Sequence, residues 1–427
     1  MKTLVRFFMK EWVESLMIAF AFAVIVWFFG ALLGLGSLHP LASAFARILT
    51  IVAIFVLWLI FTLVELLRER KKEKELEEGV AEAEANPTAE ASAEEVALLT
   101  ERLKEALHEL KRAKLGGRSR RHLYQLPWYM FIGPPGAGKT TALVNCGLHF
   151  PLADEHGPKA VQGVGGTRNC DWWVTDEAVL IDTAGRYTTQ HSDAAVDSAA
   201  WLGFLKLLKK HRTRQPLNGV LVAISLSDLA LLPEPDRLAH ARAIRKRVRE
   251  LADEFGIRVP VYVLFTKADL IAGFVEFFDN LGREDREQVW GMTFALDDGK
   301  SEGGSVAEFG REFDRLLERL NDRMLERVHQ EPDLQRRRLI YGFPQQIASL
   351  RDVAAEFLSE VFRPSRLEAR PLLRGVYLTS GTQDGTPIDR LLGAMAGQFG
   401  LARQAVTAFS GVGRSYFLAR LIRDVVF

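Results

Sequence analysis

Three glycines, a lysine and a threonine fall within Gly133 to Thr140 (GPPGAGKT), a segment that fits G-x-x-x-x-G-K-[ST] in full. The chemistry this spacing suits is phosphate binding. Gly133, Gly136 and Gly138 let backbone N–H groups wrap an anion with no Cβ in the way, and Ala137 lies inside that wrap. Lys139 is placed to reach β and γ oxygens and Thr140 to ligate Mg²⁺. Thr141 belongs to the helix start whose positive end faces the anion.

Three more stretches carry compatible residue types in a compatible order. Gly163 to Tyr187 reads GVGGTRNCDWWVTDEAVLIDTAGRY. Asp182 ends an apolar run there and suits the carboxylate on the Mg²⁺ side. Gly185 can offer its N–H to a γ-phosphate. Thr167 sits where a mobile threonine would cap the metal; a plain loop residue is the competing reading. Next, Thr266-Lys267-Ala268-Asp269 fits [NT]-K-x-D, in which the carboxylate accepts from guanine N1 and N2. Finally Gly375 to Ser380 leads into a loop where Ser380, Gly381 and Thr382 could touch the base. The expected cofactors are GTP or ATP with Mg²⁺, and the choice of base stays open.

Turnover is a separate matter. Arg186 follows the Asp-Thr-Ala-Gly run, where Ras-like GTPases carry a water-orienting glutamine. With Lys139 and Asp182 it completes the expected catalytic set. Arg186 can steady transition-state charge, but it cannot accept a hydrogen bond from water. Unassisted hydrolysis is therefore expected near the intrinsic Ras rate of about 10⁻⁴ s⁻¹. A nucleotide-stabilised scaffold without turnover is the rival.

These loops need a sheet to hold them. Apolar strands are expected at Trp128 to Ile132, Cys170 to Thr175, Ala178 to Asp182, Gly219 to Ser225, Val259 to Thr266 and Gly375 to Ser380. Helical segments alternate with them, and the motif loops lie at strand ends. This pattern predicts an α/β fold, a P-loop GTPase-like doubly wound sheet. About a hundred residues separate Asp269 from the last loop, with heptad-like runs at Phe309 to Val328 and Ile340 to Phe362; they read as a helical insertion. Arg237 to Phe255 predicts a cationic amphipathic helix, either a polyanion surface or a solvated face with acidic neighbours.

The N-terminus has another character. Leu16 to Leu35 holds no charged residue, and Ile48 to Val64 is a second apolar run. The first matches a bilayer core in length and the second lies at the short end of that range, and the short connection predicts a helical hairpin. Lys2, Arg6 and Lys10 precede it, and Arg68, Arg70, Lys71, Lys72 and Lys74 follow it. That asymmetry places both flanks in the cytoplasm. The apolar run is too long for a cleaved signal peptide. Two spans without ionisable residues offer a transporter no ion path. The domain boundaries that follow are a hairpin over 1–67, a charged helical linker over 68–122, the sheet domain over 123–270 and 374–400, the insertion over 271–373, and a C-terminal helical segment over 401–427.

Composition narrows the classes. Lys plus Arg is 55 against 54 for Asp plus Glu, which argues against a general nucleic-acid binder. Cys146 and Cys170 are the two cysteines, too few for a secreted disulfide framework.

GPPGAGKTTALVNCGLHFPL, VGGTRNCDWWVTDEAVLIDTAGRY, FTKADL, LTSGTQDGTPIDRLL and the closing SYFLARLIRDVVF together resemble the IcmF/TssM family. The resemblance covers nearly the whole chain. It implies an inner-membrane component of a bacterial type VI secretion system, with N-terminus and nucleotide domain in the cytoplasm. The implied partners are an inner-membrane TssL-like protein, baseplate proteins and, through a periplasmic region this sequence does not reach, the outer-membrane lipoprotein TssJ. A homo-oligomer is implied too. Family members are longer, with a third span beyond the point where this sequence stops. A targeting GTPase resembling the signal-recognition-particle receptor shares DTAGR and TKxD. The strand hairpin before Asp182 and the long insertion speak against it.

Overall fold

The computed structural model describes residues 24, 26–28, 43–52, 55–56, 87–112, 126–150, 170–189, 194–295, 304–363, 371–381 and 414–427. The chain divides into two units, Met1–Ala93 with Gly116–His122, and Glu94–Leu115 with Leu123–Phe427.

In the first unit the described residues between 24 and 56 are helical apart from Ser43. The Ser43 side chain accepts from the Ala46 N–H at 3.1 Å, an N-cap contact, so the second helix starts at residue 44. Arg47, expected in the connection, therefore lies in the helix and donates to the Trp27 carbonyl at 3.3 Å. Most of the expected hairpin, the charge run after it and the basic link at 116–122 lie outside the described residues. Among the described residues no helix is long and apolar enough to cross a membrane.

The second unit is a mixed α/β domain around seven strands: β1 (Trp128–Ile132), β2 (Cys170–Val174), β3 (Val179–Thr183), β4 (Gly219–Ser225), β5 (Pro260–Thr266), β6 (Gly291–Thr293) and β7 (Leu372–Leu378). Their order is β2-β3-β1-β4-β5-β7-β6. β1 runs parallel to β3 and β4, and β5 parallel to β4 and β7. The edge strands β2 and β6 are antiparallel to their neighbours. β1 is buried at every position, as expected of a strand covered on both faces.

Alternation divides the core in two. Trp128, Met130 and Ile132 join the larger cluster, whereas Tyr129 and Phe131 join a smaller one on the other face. The larger face is covered by α1 (Pro87–Arg112), α4 (Ala194–His211) and α6 (Glu234–Phe255), through residues such as Leu99, Leu103, Phe204 and Ile244. The smaller is covered by the six-residue α2 (Lys139–Val144) and by the chain end, where Leu418, Leu421, Ile422 and Val426 are buried. The Tyr129 hydroxyl donates to the Val426 carbonyl at 2.5 Å, and its ring stacks on Phe427 at 5.1 Å.

The remaining elements are α3 (Gly185–Thr189), α5 (Leu226–Leu231), α7 (Phe274–Phe278), α8 (Arg283–Glu287), α9 (Ser305–Gln330), α10 (Leu334–Ala348) and α11 (Arg351–Val361). The stretch 271–373 was expected to be helical. It also supplies β6, paired with β7 through Met292 and Val376. Three residues, Gly-Met-Thr, are too few to show a period of two.

Candidate nucleotide site

Register brings the motif residues to one end of the sheet. Phe131 of β1 lies level with Asp182 of β3, and Ser225 of β4 level with Thr266 of β5. The loops that leave these strands must therefore meet.

The loop Gly133 to Thr140 turns on glycines. Gly136 and Gly138 both have φ near 75°, a conformation that side chains resist. Lys139 is buried, and its ammonium donates to the Gly133 carbonyl at 2.9 Å and the Pro134 carbonyl at 3.1 Å. Burial lowers its pKa to about 8, with Asp182 pulling in the opposite direction. The Thr140 hydroxyl donates to an Asp182 carboxylate oxygen at 2.5 Å. A hydroxyl and a fully buried carboxylate in contact beside a lysine form a donor set that suits a hard divalent cation next to phosphate. Gly185 packs so closely on the loop that a Cβ there would sit 2.3 Å from the Pro135 nitrogen.

The Thr266 to Asp269 motif is tied to the same loop. Thr266 donates to the Ala137 carbonyl at 2.7 Å and is itself buried. Lys267 follows with φ 60°, in the left-handed region. The Asp269 carboxylate accepts from the Ser380 hydroxyl at 2.5 Å. Burial raises the Asp269 pKa, and the Ser380 hydrogen bond opposes that rise. A Cβ on Gly381 would meet Thr141 Cγ2 at 2.8 Å, so the last loop lies against the start of α2.

Thus Gly133, Gly136, Ala137, Gly138, Lys139, Thr140, Thr141, Asp182, Gly185, Thr266, Asp269, Ser380 and Gly381 gather around the loops at one end of the sheet. Thr167 and Thr382 lie outside the described residues. Arg186 is engaged elsewhere. Its guanidinium pairs with Asp197 at 2.7 Å and with Glu95 of α1. Two carboxylates hold the charge that the sequence had offered to a transition state.

Sequence reasoning missed Thr188. Its hydroxyl oxygen accepts the Gly133 N–H at 3.1 Å. No motif spacing marks that residue. It also missed the chain end as a neighbour: Ser380 and Tyr416 exchange backbone hydrogen bonds of 3.0 and 2.8 Å.

Fold and loops together define a mixed α/β protein that carries a G-x-x-x-x-G-K-[ST] sequence at the end of β1, an inner strand of the sheet. More particularly, the chain belongs to the IcmF-related family, whose N-terminal domain matches residues 194–427. It is 62% identical over 333 residues to the type VI secretion system component TssM1 of Pseudomonas aeruginosa, a match covering 78% of this chain and 30% of that protein. A signal recognition particle receptor SRb-GTP/SRX complex from Chaetomium thermophilum aligns at 21% identity and a TM-score of 0.21, over 35% of this chain and 75% of that one. That likeness is too slight to bear on fold or function.

Proposed function

We propose that the chain is a nucleotide-binding, membrane-anchored subunit of a type VI secretion membrane complex, with a P-loop GTPase-like sheet acting as scaffold or switch. The assembly part of this reading rests on the 62% identity to TssM1. The nucleotide part rests on one observation above all, the Thr140–Asp182 contact beside buried Lys139. In the proposal Gly133 to Thr141 wrap the phosphates of GTP or ATP. Thr140 and Asp182 hold Mg²⁺, which would neutralise phosphate charge there. Thr167 would close over the metal. The apolar runs of the first unit anchor the chain in the inner membrane as a hairpin. The proposed partners are an inner-membrane TssL-like protein and cytoplasmic baseplate proteins, with the lipoprotein TssJ reached through a further region.

Arg186 is held by Glu95 and Asp197, which favours binding over rapid turnover. Thr266, Lys267 and Asp269 with Ser380, Gly381 and Thr382 would take the base. The test is a competition series. Asparagine at 269 can still accept the Ser380 hydroxyl, so Asp269→Asn should preserve the loop while removing an acceptor from guanine. GTP binding is expected to weaken by roughly 2 kcal/mol and XTP binding to rise. Tighter binding of ATP than GTP, unchanged by the substitution, would overturn the guanine assignment. Failure of all three nucleotides to bind in calorimetry would overturn nucleotide binding itself.

A further inference from the structure

The five-residue helix α3 has two occupied sides. On one side Gly185 abuts Pro135, leaving no room for a Cβ, and Thr188 accepts the Gly133 N–H at 3.1 Å. Both contacts are with the phosphate loop. On the other side Arg186 and the Tyr187 hydroxyl both donate to Glu95 of α1. The Arg186 guanidinium also lies 4.8 Å from the Tyr187 ring centroid. Positions 185 and 188 thus read the loop, and 186 and 187 grip α1.

α1 is seated by more than that grip. A Cβ on Gly203 of α4 would come within 2.6 Å of Val96, so the helix lies directly on the α4 backbone. Arg102 pairs with Asp171 of β2 at 2.7 Å and donates to the Cys170 carbonyl at 3.3 Å. Leu99 and Leu103 are fully buried. Through Glu95 this helix holds α3, the segment that follows Asp182.

We propose that Glu95 and Thr188 are positioning residues through which α3 ties triphosphate binding at the phosphate loop to the seating of α1. This rests on the nucleotide reading above. A γ-phosphate would draw on the Gly185 N–H, and Gly185 can settle only as its helix does. The Thr188 hydroxyl sets α3 against Gly133, and Glu95 holds the far side of α3 in place. Binding at the loop and closure of the Glu95 contacts then favour each other. Linkage makes this reciprocal: the factor by which a seated α1 strengthens triphosphate binding equals the factor by which bound triphosphate favours the seated α1. A diphosphate, which lacks the γ group, draws on the coupling far less.

The test uses the full chain in lipid nanodiscs with Mg²⁺. Affinities for GTPγS, GDP, ATPγS and ADP are measured by calorimetry for the wild type, Glu95→Gln, Tyr187→Phe, Thr188→Val and Thr188→Ser. Hydrogen exchange is followed over residues 94–107 with and without each nucleotide. For the wild type, the triphosphate analogue that binds should slow exchange in α1 more than its diphosphate does. Glu95→Gln and Thr188→Val should lower triphosphate affinity by about tenfold, within the usual range of coupling. Diphosphate affinity should stay within about twofold, and the added protection of α1 should disappear. Thr188→Ser keeps the acceptor and should behave as wild type. If Glu95→Gln fails to give a cooperative thermal melt, Thr188→Val reads the same coupling from the opposite side of α3. Nucleotide binding with an unchanged triphosphate-to-diphosphate ratio in these variants would overturn this inference and leave the nucleotide reading standing. No binding of any nucleotide to the wild type would overturn both.

Discussion

Helix α6 carries six lysines and arginines in 22 residues, whereas the loop Gly133 to Thr140 carries one lysine in eight. Charge count alone would place an anion on the helix. The neighbours say otherwise. Arg237 faces Glu356 at 3.1 Å, Arg242 faces Glu360 at 3.3 Å, Arg247 faces Glu250 at 3.1 Å and Arg249 faces Asp253 at 3.5 Å. Arg247 is buried beneath this, its guanidinium 5.8 Å from the Trp201 ring centroid. Four of its six cations thus fasten α11 or the helix itself. Lys139 instead donates to neutral carbonyls inside a loop of backbone groups. Its hydrogen bonds go to backbone carbonyls, and the Asp182 carboxylate acts on it as a nearby charge rather than as a hydrogen-bond partner.

The sharpest consequence falls on Lys139. Lys139→Met keeps the stem and removes the ammonium. Nucleotide affinity should fall at least tenfold, about 1.4 kcal/mol per decade. The nucleotide-free protein should gain stability. The folded lysine loses its proton near pH 8 because it is buried, whereas the unfolded one keeps it to about 10.5. The unfolded chain therefore binds more protons between those values, and wild-type stability rises with pH across that window. Below it, the charged lysine costs up to roughly 3 kcal/mol, which the methionine variant recovers. Bound phosphate favours the charged form, so affinity should decline as pH rises through about 8. Melting curves and calorimetry at pH 7 and pH 9 check both signs. A variant that binds nucleotide as well as wild type would put Lys139 on the same footing as the α6 arginines.

A smaller effect is expected at Thr266, which serves the loop without a charge. Thr266→Val removes the donor to the buried Ala137 carbonyl at 2.7 Å. The loss should cost about 1–3 kcal/mol of stability, and nucleotide affinity should drop several-fold because the loop is less fixed. Thr266→Ser should restore both. Denaturant melts of the three proteins measure it; valine at full stability would mean the loop holds its shape without the strand.

The parts of this site that could be read in the sequence are those whose geometry is local. Glycines 133, 136 and 138 and Lys139 are marked by spacing within one loop, and the strand ending at Asp182 by an apolar run. The strand hairpin before Asp182 was legible too, and the structure pairs Cys170–Val174 with Val179–Thr183. The rest depends on contacts far apart in the chain. Thr188 meets Gly133 across 55 residues, and Glu95 meets Arg186 across 91. Arg186 looked like a spare cation because its carboxylates lie in other helices. The α6 stripe looked ambiguous for the same reason: Glu356 and Glu360 come from a helix more than a hundred residues later. β6 was lost among helices because three residues carry no pattern.

The smallest effect should come from α6 itself. Arg242 is largely exposed, and its partner Glu360 is mostly covered. An exposed arginine in such a pair gains modest Coulomb energy and gives up side-chain freedom, so pairs of this kind contribute about 0–1 kcal/mol. Arg242→Gln should therefore shift stability by no more than roughly 1 kcal/mol, and less in high salt, where the attraction is screened. Nucleotide affinity should not change, because the charge is already answered by a carboxylate and belongs to the helix face rather than to the loops. Calorimetry on this variant beside Lys139→Met makes the contrast direct. If removing Arg242 weakened nucleotide binding as much as removing Lys139, anion attraction would be a property of the whole cationic surface, and the buried lysine would hold no special place in it.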